Sequence, residues 1–196
     1  MEVGSSRSSI EEHLGKPTRT VTRDSYERCT LTTDVYVVQA AYDSAGTLRA
    51  YLVTELGNRD SQIVTVGGFP MGDSSFYDYP GKPDKVFGYV SQGVARCLYA
   101  EQYRTDVENN WLIALDFGRL SVPLPEFVQS IQLGVSQVDD EIDMAIITSP
   151  QTLADRKQIC PNTYGASDVS IGMDEMYDLF FLYNNFDSLS MRENAK

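Results

Sequence analysis

The chain is poor in the residues from which most zinc sites and nucleophilic active sites are built. It has 196 residues, of which 3 are cysteine and 1 is histidine. Cys29, Cys97 and Cys160 are widely separated and form no Cys-x-x-Cys pair, which argues against a zinc site. An odd number of cysteines makes no disulfide framework. One bridge would form in an exported domain, and three free thiols are expected otherwise. No cofactor is predicted.

Basic charge and long apolar runs are also scarce. The 16 Lys and Arg residues are outnumbered by 28 Asp and Glu, a net charge of −12, which argues against nucleic acid as a partner. No run of about 18 apolar residues occurs, so the given chain contains no predicted membrane span. What is present, 42% hydrophobic and 11% aromatic residues, is typical of a folded globular domain.

The acidic charge is concentrated in the second half of the chain. Residues 1–98 hold 12 acidic and 10 basic residues, whereas residues 99–196 hold 16 and 6. Such a surface is either a solvated face that aids solubility or a docking face for a basic partner.

The clearest local signal is a short N-terminal helix. Ser8 and Glu11 have the spacing of a capping box, and Ile10 and Leu14 form an apolar stripe. Gly15 and Pro17 are expected to end the helix. A helix of this length is marginal alone and must dock its stripe on other elements.

Alternating apolar residues predict several strands after this helix. Segments 34–42 and 47–54 are expected to form a hairpin around a turn at 43–46. Segment 18–31 is expected to be one twisted strand or two short ones, and the sequence from Trp111 to Phe117 predicts another strand.

Other segments carry weaker signals. Asn109-Asn110 indicates a turn, residues 67–85 an ordered surface loop, and residues 149–172 an irregular linker. Residues 173–189 predict a C-terminal helix with an apolar stripe.

Together these signals predict an α+β fold. We expect an antiparallel sheet of five or more strands, with the N-terminal and C-terminal helices packed mainly on one face. Residues 1–196 would form a single domain. It would contain a helix-plus-sheet subdomain (1–66), the loop at 67–85 and an extension with the C-terminal helix (86–196).

The N-terminal motif resembles a known family. Gly4, Ser6, Ile10, Leu14, Gly15 and Pro17 match the pattern G-x-[ST]-x3-[VI]-x3-L-G-x-P, and a hairpin follows with its turn at 42–48. Over about residues 4–55 the chain resembles the small outer-membrane assembly lipoproteins and the wider β-lactamase-inhibitor-protein-like fold. It lacks the lipoprotein cysteine, and the residues beyond 55 carry no motif of the family.

This resemblance implies a domain that binds other proteins, with no catalytic residues to carry over. The chain is also similar to uncharacterised bacterial domains that follow a single membrane anchor. No signal segment precedes the first helix, so an anchor is expected upstream of Met1. The implied location is the cell envelope or a membrane-anchored soluble domain, with a cytoplasmic location as the alternative.

Catalytic patterns are missing from the sequence. His13 lies near the end of the first predicted helix, where an interaction with the helix carbonyls is expected, and no Gly-x-Ser-x-Gly elbow occurs. The alternative to a binding domain is a carboxylate-dependent or metal-assisted hydrolase. Asp139, Asp140 and Asp143 would supply oxygen ligands for its metal, although their spacing is not that of an EF-hand loop.

Three aromatic residues in the loop at 67–85 are the predicted binding residues. Phe76, Tyr77 and Tyr79 are of the types that carry most of the binding energy at protein interfaces. The alternative is that they fold back over the core as a lid. We therefore expect a non-enzymatic protein-binding module of a bacterial envelope or membrane-tethered protein, with another protein as its partner.

Overall fold

A computed structural model of the chain describes residues 1–23, 25–55, 65–66, 69–70, 74–91, 96–116, 156–157 and 159–180. Eight antiparallel strands of this part form one sheet: β1 (Arg19–Arg23), β2 (Tyr26–Thr32), β3 (Tyr36–Tyr42), β4 (Leu48–Glu55), β7 (Lys85–Ser91), β8 (Arg96–Arg104), β9 (Glu108–Asp116) and β10 (Thr163–Asp168). Their order across the sheet is β1-β2-β3-β4-β10-β9-β8-β7. A separate two-stranded ribbon contains β5 (Thr65–Val66) and β6 (Phe69–Pro70).

The predicted α+β class is wrong, because the described chain is largely β. Its α-helices are α1 (Arg7–Leu14) and α2 (Met173–Phe180), each of eight residues, with a single 3-10 turn at Phe76–Asp78. The eight strands of the sheet contain many more residues than these two short helices.

The two helices also lie on opposite faces of the sheet, rather than mainly on one. Ile10 of α1 belongs to a core cluster with Val38 and Ala40 of β3, whereas Met176 of α2 packs in a second cluster with Ala41 of the same strand. Neighbouring residues of a strand point to opposite faces, so the two clusters cover the two sides of the sheet. We call them the α1 face and the α2 face.

The N-cap of helix α1 lies two residues before the predicted one, Ser8. Ser6 is the N-cap, and its hydroxyl accepts a hydrogen bond from the Ser9 N–H at 3.3 Å. Gly15 ends the helix at φ 90°, a left-handed conformation that favours glycine. Leu48 pairs its backbone with Gly4 and Ser5, which ties the N-terminal segment to the start of β4.

The predicted hairpin is confirmed by β3 and β4, which pair in antiparallel register. Segment 18–31 forms two strands, β1 and β2. Arg28 of β2 donates a hydrogen bond from Nη1 to the Leu179 carbonyl in α2, which places a positive charge at the negative end of that helix.

The predicted linker at 149–172 is wrong, because it contains β10, a strand inside the sheet between β4 and β9. Every residue from Thr163 to Ser167 is buried. Gly165 is required there, since a Cβ would lie 2.4 Å from Leu52 Cδ2 and 2.7 Å from the Tyr51 carbonyl oxygen.

The predicted turn at Asn109-Asn110 is also wrong, because both residues lie in β9. The Asn109 side-chain amide donates to the Ile171 carbonyl at 3.0 Å, and the Asn110 side chain accepts from the Tyr164 hydroxyl at 2.5 Å. The Asn109 amide nitrogen and the Asn110 side-chain oxygen thus find partners on or just after β10, whereas the buried Asn109 Oδ1 accepts no hydrogen bond within the part of the chain that the structure describes.

Among the residues described above, no helix has both the length and the apolar character needed to cross a membrane.

Candidate functional site

The three predicted aromatic residues differ in burial. Phe76 is fully buried and packs edge-on against Tyr99, with ring centroids 4.9 Å apart. Tyr79 is half-buried, and its ring centroid lies 4.4 Å from that of Tyr103. Tyr77, between them, is 48% exposed. The segment is therefore anchored to the α1 face by two of its aromatic rings and presents the third to solvent.

The backbone around Tyr77 is fixed by local hydrogen bonds. The Asp78 carboxylate accepts from the Ser75 N–H at 2.8 Å and from the Ser75 hydroxyl at 2.7 Å, and these bonds lower the pKa of Asp78. The Lys157 ammonium lies 4.5 Å from the centroid of the Tyr77 ring, within the range of a cation–π contact.

A buried ion pair lies beneath this segment. The Glu101 side chain is 0% exposed, and its two oxygens accept from Arg156 at 2.6 Å (Nε) and 2.9 Å (Nη2). The Tyr99 and Tyr103 hydroxyls donate to the same two oxygens, each at 2.5 Å. Arg156 also donates to the Phe76 carbonyl at 3.1 Å, so the pair connects the sheet to the 3-10 turn.

The electrostatics of this network indicate a structural role. Burial, and then the charge of Glu101, raise the pKa of Tyr103 and Tyr99. Burial acts to lower the pKa of Arg156, but the hydrogen bonds and charge of Glu101 outweigh it and leave that pKa raised. Each Glu101 oxygen already accepts two hydrogen bonds and the side chain is 0% exposed, so neither oxygen is open to a ligand.

A second feature is a surface cavity of about 190 Å³ at one end of the sheet, which we call the rim cavity. Its lining comes from the N-terminal segment, the start of β4, the β8–β9 turn and the end of β10: Val3, Gly4, Leu48, Arg49, Val107, Glu108 and Asp168. Arg49 pairs with Asp168 at 3.0 Å and with Asp43 at 3.9 Å.

Glu108 of the rim cavity is electrostatically coupled to three tyrosines of the α1 face. Burial, and then the Glu108 charge, raise the pKa of Tyr51 to about 12 and raise the pKa of Tyr79. For Tyr164, burial and the two neighbouring tyrosines raise the pKa more than Glu108 does. The Glu108 charge therefore lies near enough to these tyrosines to disfavour their ionised forms.

The remaining predicted site residues belong neither to the aromatic segment with its buried ion pair nor to the rim cavity. Asp139, Asp140 and Asp143 lie outside the described residues, and within the described ranges no group of three or more His, Cys, Asp or Glu could hold a metal ion. The His13 ring is bonded through Nδ1 to the Ser9 carbonyl at 2.7 Å, as expected for a residue at a helix end.

Sequence analysis missed the charged residues of both features. Tyr99, Glu101 and Tyr103 alternate along β8, and a glutamate flanked at spacing 2 by tyrosines in a strand signals a buried carboxylate with hydroxyl donors. No comparable local signal exists for Arg156 or for the rim cavity, because their partners are distant in sequence.

No protein family matches the sequence, and no curated protein matches it either. Among solved structures, the chain is similar to a cysteine-rich secretory protein from Staphylococcus aureus, at 11% sequence identity and a TM-score of 0.39. The similar region covers 57% of this chain and 39% of the other protein's length.

Proposed function

We propose that the chain is a non-enzymatic protein-binding module of a bacterial envelope or membrane-tethered protein, and that Tyr77 is the centre of its contact surface. The observation that carries the proposal is the 48% exposure of Tyr77 on a turn whose other two aromatic rings pack against the core. The envelope location rests on the resemblance over about residues 4–55.

An anchored tyrosine suits binding for a physical reason. Ordering a flexible loop upon association costs free energy, and a side chain that is already positioned avoids most of that cost. The contacts of Phe76 and Tyr79, together with the bonds between Ser75 and Asp78, position Tyr77 before any partner arrives. Tyrosine also combines a large apolar area with a hydroxyl that can pair at the interface.

The burial of Phe76 and Tyr79 narrows the predicted contact surface. Phe76 has no exposed area, so its contribution is to support the turn, while Tyr79 contributes through its exposed part. Lys157, which is exposed beside Tyr77, adds a positive charge to this surface. The hydrolase alternative remains a prediction from sequence, because its aspartates lie outside the described residues.

Site-specific photocrosslinking tests the proposal. A photoreactive phenylalanine derivative replaces Tyr77 in one variant and Lys16, an exposed residue beyond the end of α1, in another. In cells of the native host, we expect a discrete adduct with one protein at position 77 and none at position 16. Absence of an adduct at position 77, or the same adducts at both positions, would contradict it.

A further inference from the structure

Strand β1 forms one edge of the eight-stranded sheet. It pairs with β2 on one side, and no strand of the described chain lies on its other side. Arg19, Thr20 and Thr22 are exposed, so this edge lies at the protein surface. An edge strand presents backbone N–H and C=O groups with which a further strand can pair.

Several features that usually keep an edge from pairing are missing from β1. Its five residues include no proline, and its register with β2 runs from Arg19 to Arg23 without a bulge. Threonine and valine, which make up its centre, favour extended backbone and cross-strand packing. The backbone of β1 is therefore suited to accept one more strand.

The charges of β1 disfavour a second copy of this chain as that strand. The strand reads Arg-Thr-Val-Thr-Arg in both directions. Antiparallel pairing of two copies about Val21 would place Arg19 of each copy opposite Arg23 of the other, and like charges directly opposite destabilise a strand pair. An opposite charge at the same position stabilises the pair. The edge therefore favours a strand with an acidic residue opposite Arg19.

A second arginine beside Arg19 adds to this preference. Val21 is the register partner of Arg28, which is in turn paired with Ala41 of the α2 face. Arg19, two residues before Val21, lies on the same face. A small hollow beside β1 is lined by Arg19, Val21 and Arg28 among others. At about 10 Å³ it holds no more than one water molecule, so a partner's carboxylate would lie across the arginines rather than enter.

The acidic character of the whole chain does not cancel this local positive charge. Charges farther apart than about 8 Å are largely screened at physiological ionic strength. Glu175 of α2 accepts a hydrogen bond from the Tyr26 hydroxyl at 2.9 Å. Tyr26 pairs with Arg23, so this carboxylate lies toward the opposite end of β1 from Arg19. Among the described residues, Arg19 has no ion-pair partner.

We infer that β1 accepts an extended segment of a partner protein as a ninth strand, with an Asp or Glu opposite Arg19 and a β-branched residue opposite Val21. The Tyr77 turn packs on β8, which lies six strand spacings from β1, roughly 30 Å at about 4.8 Å per spacing. The edge is thus a second contact surface, separate from Tyr77, and the inference does not depend on the proposed function.

Peptide titrations observed by two-dimensional NMR of the full chain test this inference. The probes are acetyl-Glu-Thr-Val-Thr-Glu amide, its counterpart with lysine in place of both glutamates, and the glutamate peptide N-methylated at its three central residues. Each sequence reads the same in both directions, so parallel and antiparallel pairing about Val21 both place a charge opposite Arg19.

We expect the glutamate peptide to shift the backbone amides of β1 and to bind about fivefold more tightly than the lysine peptide, because opposite charges replace like charges. The N-methylated peptide should not bind, since it lacks the backbone donors that pair two strands. Equal binding of the glutamate and lysine peptides, or binding of the N-methylated peptide, would overturn the inference.

Two matched variants locate the charge. Arg19→Glu changes an exposed side chain and should abolish the preference for the glutamate peptide. Lys82→Glu makes the same change of net charge in the exposed segment before β7, the strand at the opposite edge, and should keep the preference. An Arg19→Glu variant with the wild-type preference would overturn the inference. Concentration-dependent broadening of the β1 amides without peptide would also overturn it, because a second copy would then cover the edge.

Discussion

Arg156 and Glu101 form a bidentate ion pair in the interior of the protein, with Nε 2.6 Å and Nη2 2.9 Å from the two carboxylate oxygens. Because Arg156 also bonds to the Phe76 carbonyl, the pair fixes the turn that presents Tyr77. The contact surface therefore depends on charges that are themselves out of reach of solvent.

Removing one partner of this pair should be strongly destabilising. Glu101→Gln leaves the Arg156 charge buried without compensation, so we expect a loss of about 3–5 kcal/mol in the free energy of unfolding, measured by urea denaturation. The double variant Glu101→Leu/Arg156→Met should recover only part of the loss, because it removes the buried charge but leaves the Tyr99 and Tyr103 hydroxyls and the Phe76 carbonyl without these partners. A single variant within about 0.5 kcal/mol of wild type would contradict the structural role.

The close approach at Gly165 gives a second stability prediction. Gly165→Ala forces a Cβ against Leu52 and the Tyr51 carbonyl, so we expect a loss of about 1–3 kcal/mol from overpacking. Gly172 is the control, since a Cβ there meets nothing within 4 Å and its Ala variant should stay within about 0.5 kcal/mol of wild type. Thermal denaturation of both variants measures the difference, and equal effects would be evidence against the buried β10.

The tyrosines of the α1 face should make stability fall at alkaline pH. Burial raises the pKa of Tyr42 and of Tyr51 to about 12 in the folded chain, against about 10 when unfolded. Below pH 10 both the folded and the unfolded chain keep the protons of these tyrosines, so the free energy of unfolding is not reduced by their titration. Between pH 10 and 12 only the unfolded chain loses them, so the free energy of unfolding decreases as the pH rises through this window.

Ultraviolet absorbance of tyrosinate follows this titration directly. We expect a group of tyrosines to ionise near pH 10 and a second group near pH 12 or on unfolding, with Tyr51→Phe reducing the second group by one. Ionisation of every tyrosine in a single step near pH 10 would show that the α1 face is open to solvent.

The thiols should react at different rates. Cys29 is buried, and burial raises its pKa more than the Thr20 hydroxyl lowers it, whereas Cys160 is half-exposed. A thiol must be exposed and deprotonated to react, so we expect iodoacetamide to modify Cys160 well before Cys29 in the native protein. Peptide mass mapping over time distinguishes the two sites. Equal rates in the native protein, or faster modification of Cys29, would contradict the burial of Cys29, whereas in denaturant the two rates should converge.

Sequence patterns predicted the elements whose signals are local. Helix α1 follows from an apolar pair four residues apart and a terminating Gly15, and the β3–β4 hairpin follows from alternation around a turn. These features depend on neighbours within a few residues, which is the information that a single sequence contains.

Strand β10 could not be found in this way. Its sequence, Thr-Tyr-Gly-Ala-Ser-Asp, has the small and polar residues of a loop, and it is extended because β4 and β9 supply its hydrogen bonds on both edges. The packing of α1 and α2 on opposite faces was missed for a similar reason. Each helix carries an apolar stripe, but nothing in the stripe specifies which side of the sheet it covers.

The candidate site was only partly accessible to sequence analysis. Aromatic residue types indicated the segment at 76–79, yet only the fold shows that Phe76 is buried and Tyr77 exposed. The rim cavity joins residues from the N-terminus, β4, β9 and β10, so no sequence motif could indicate it.

The most direct test of the account is the affinity of the crosslinked partner, once purified, for two loop variants measured by isothermal titration calorimetry. Tyr77→Ala should weaken binding by about 2 kcal/mol or more, a factor of roughly 30, because a central aromatic contact is lost. Lys82→Ala, an exposed change in the same segment, should weaken it by less than about 0.5 kcal/mol. Equal affinities of the wild type and Tyr77→Ala would contradict the proposal that this protein binds its partner through Tyr77.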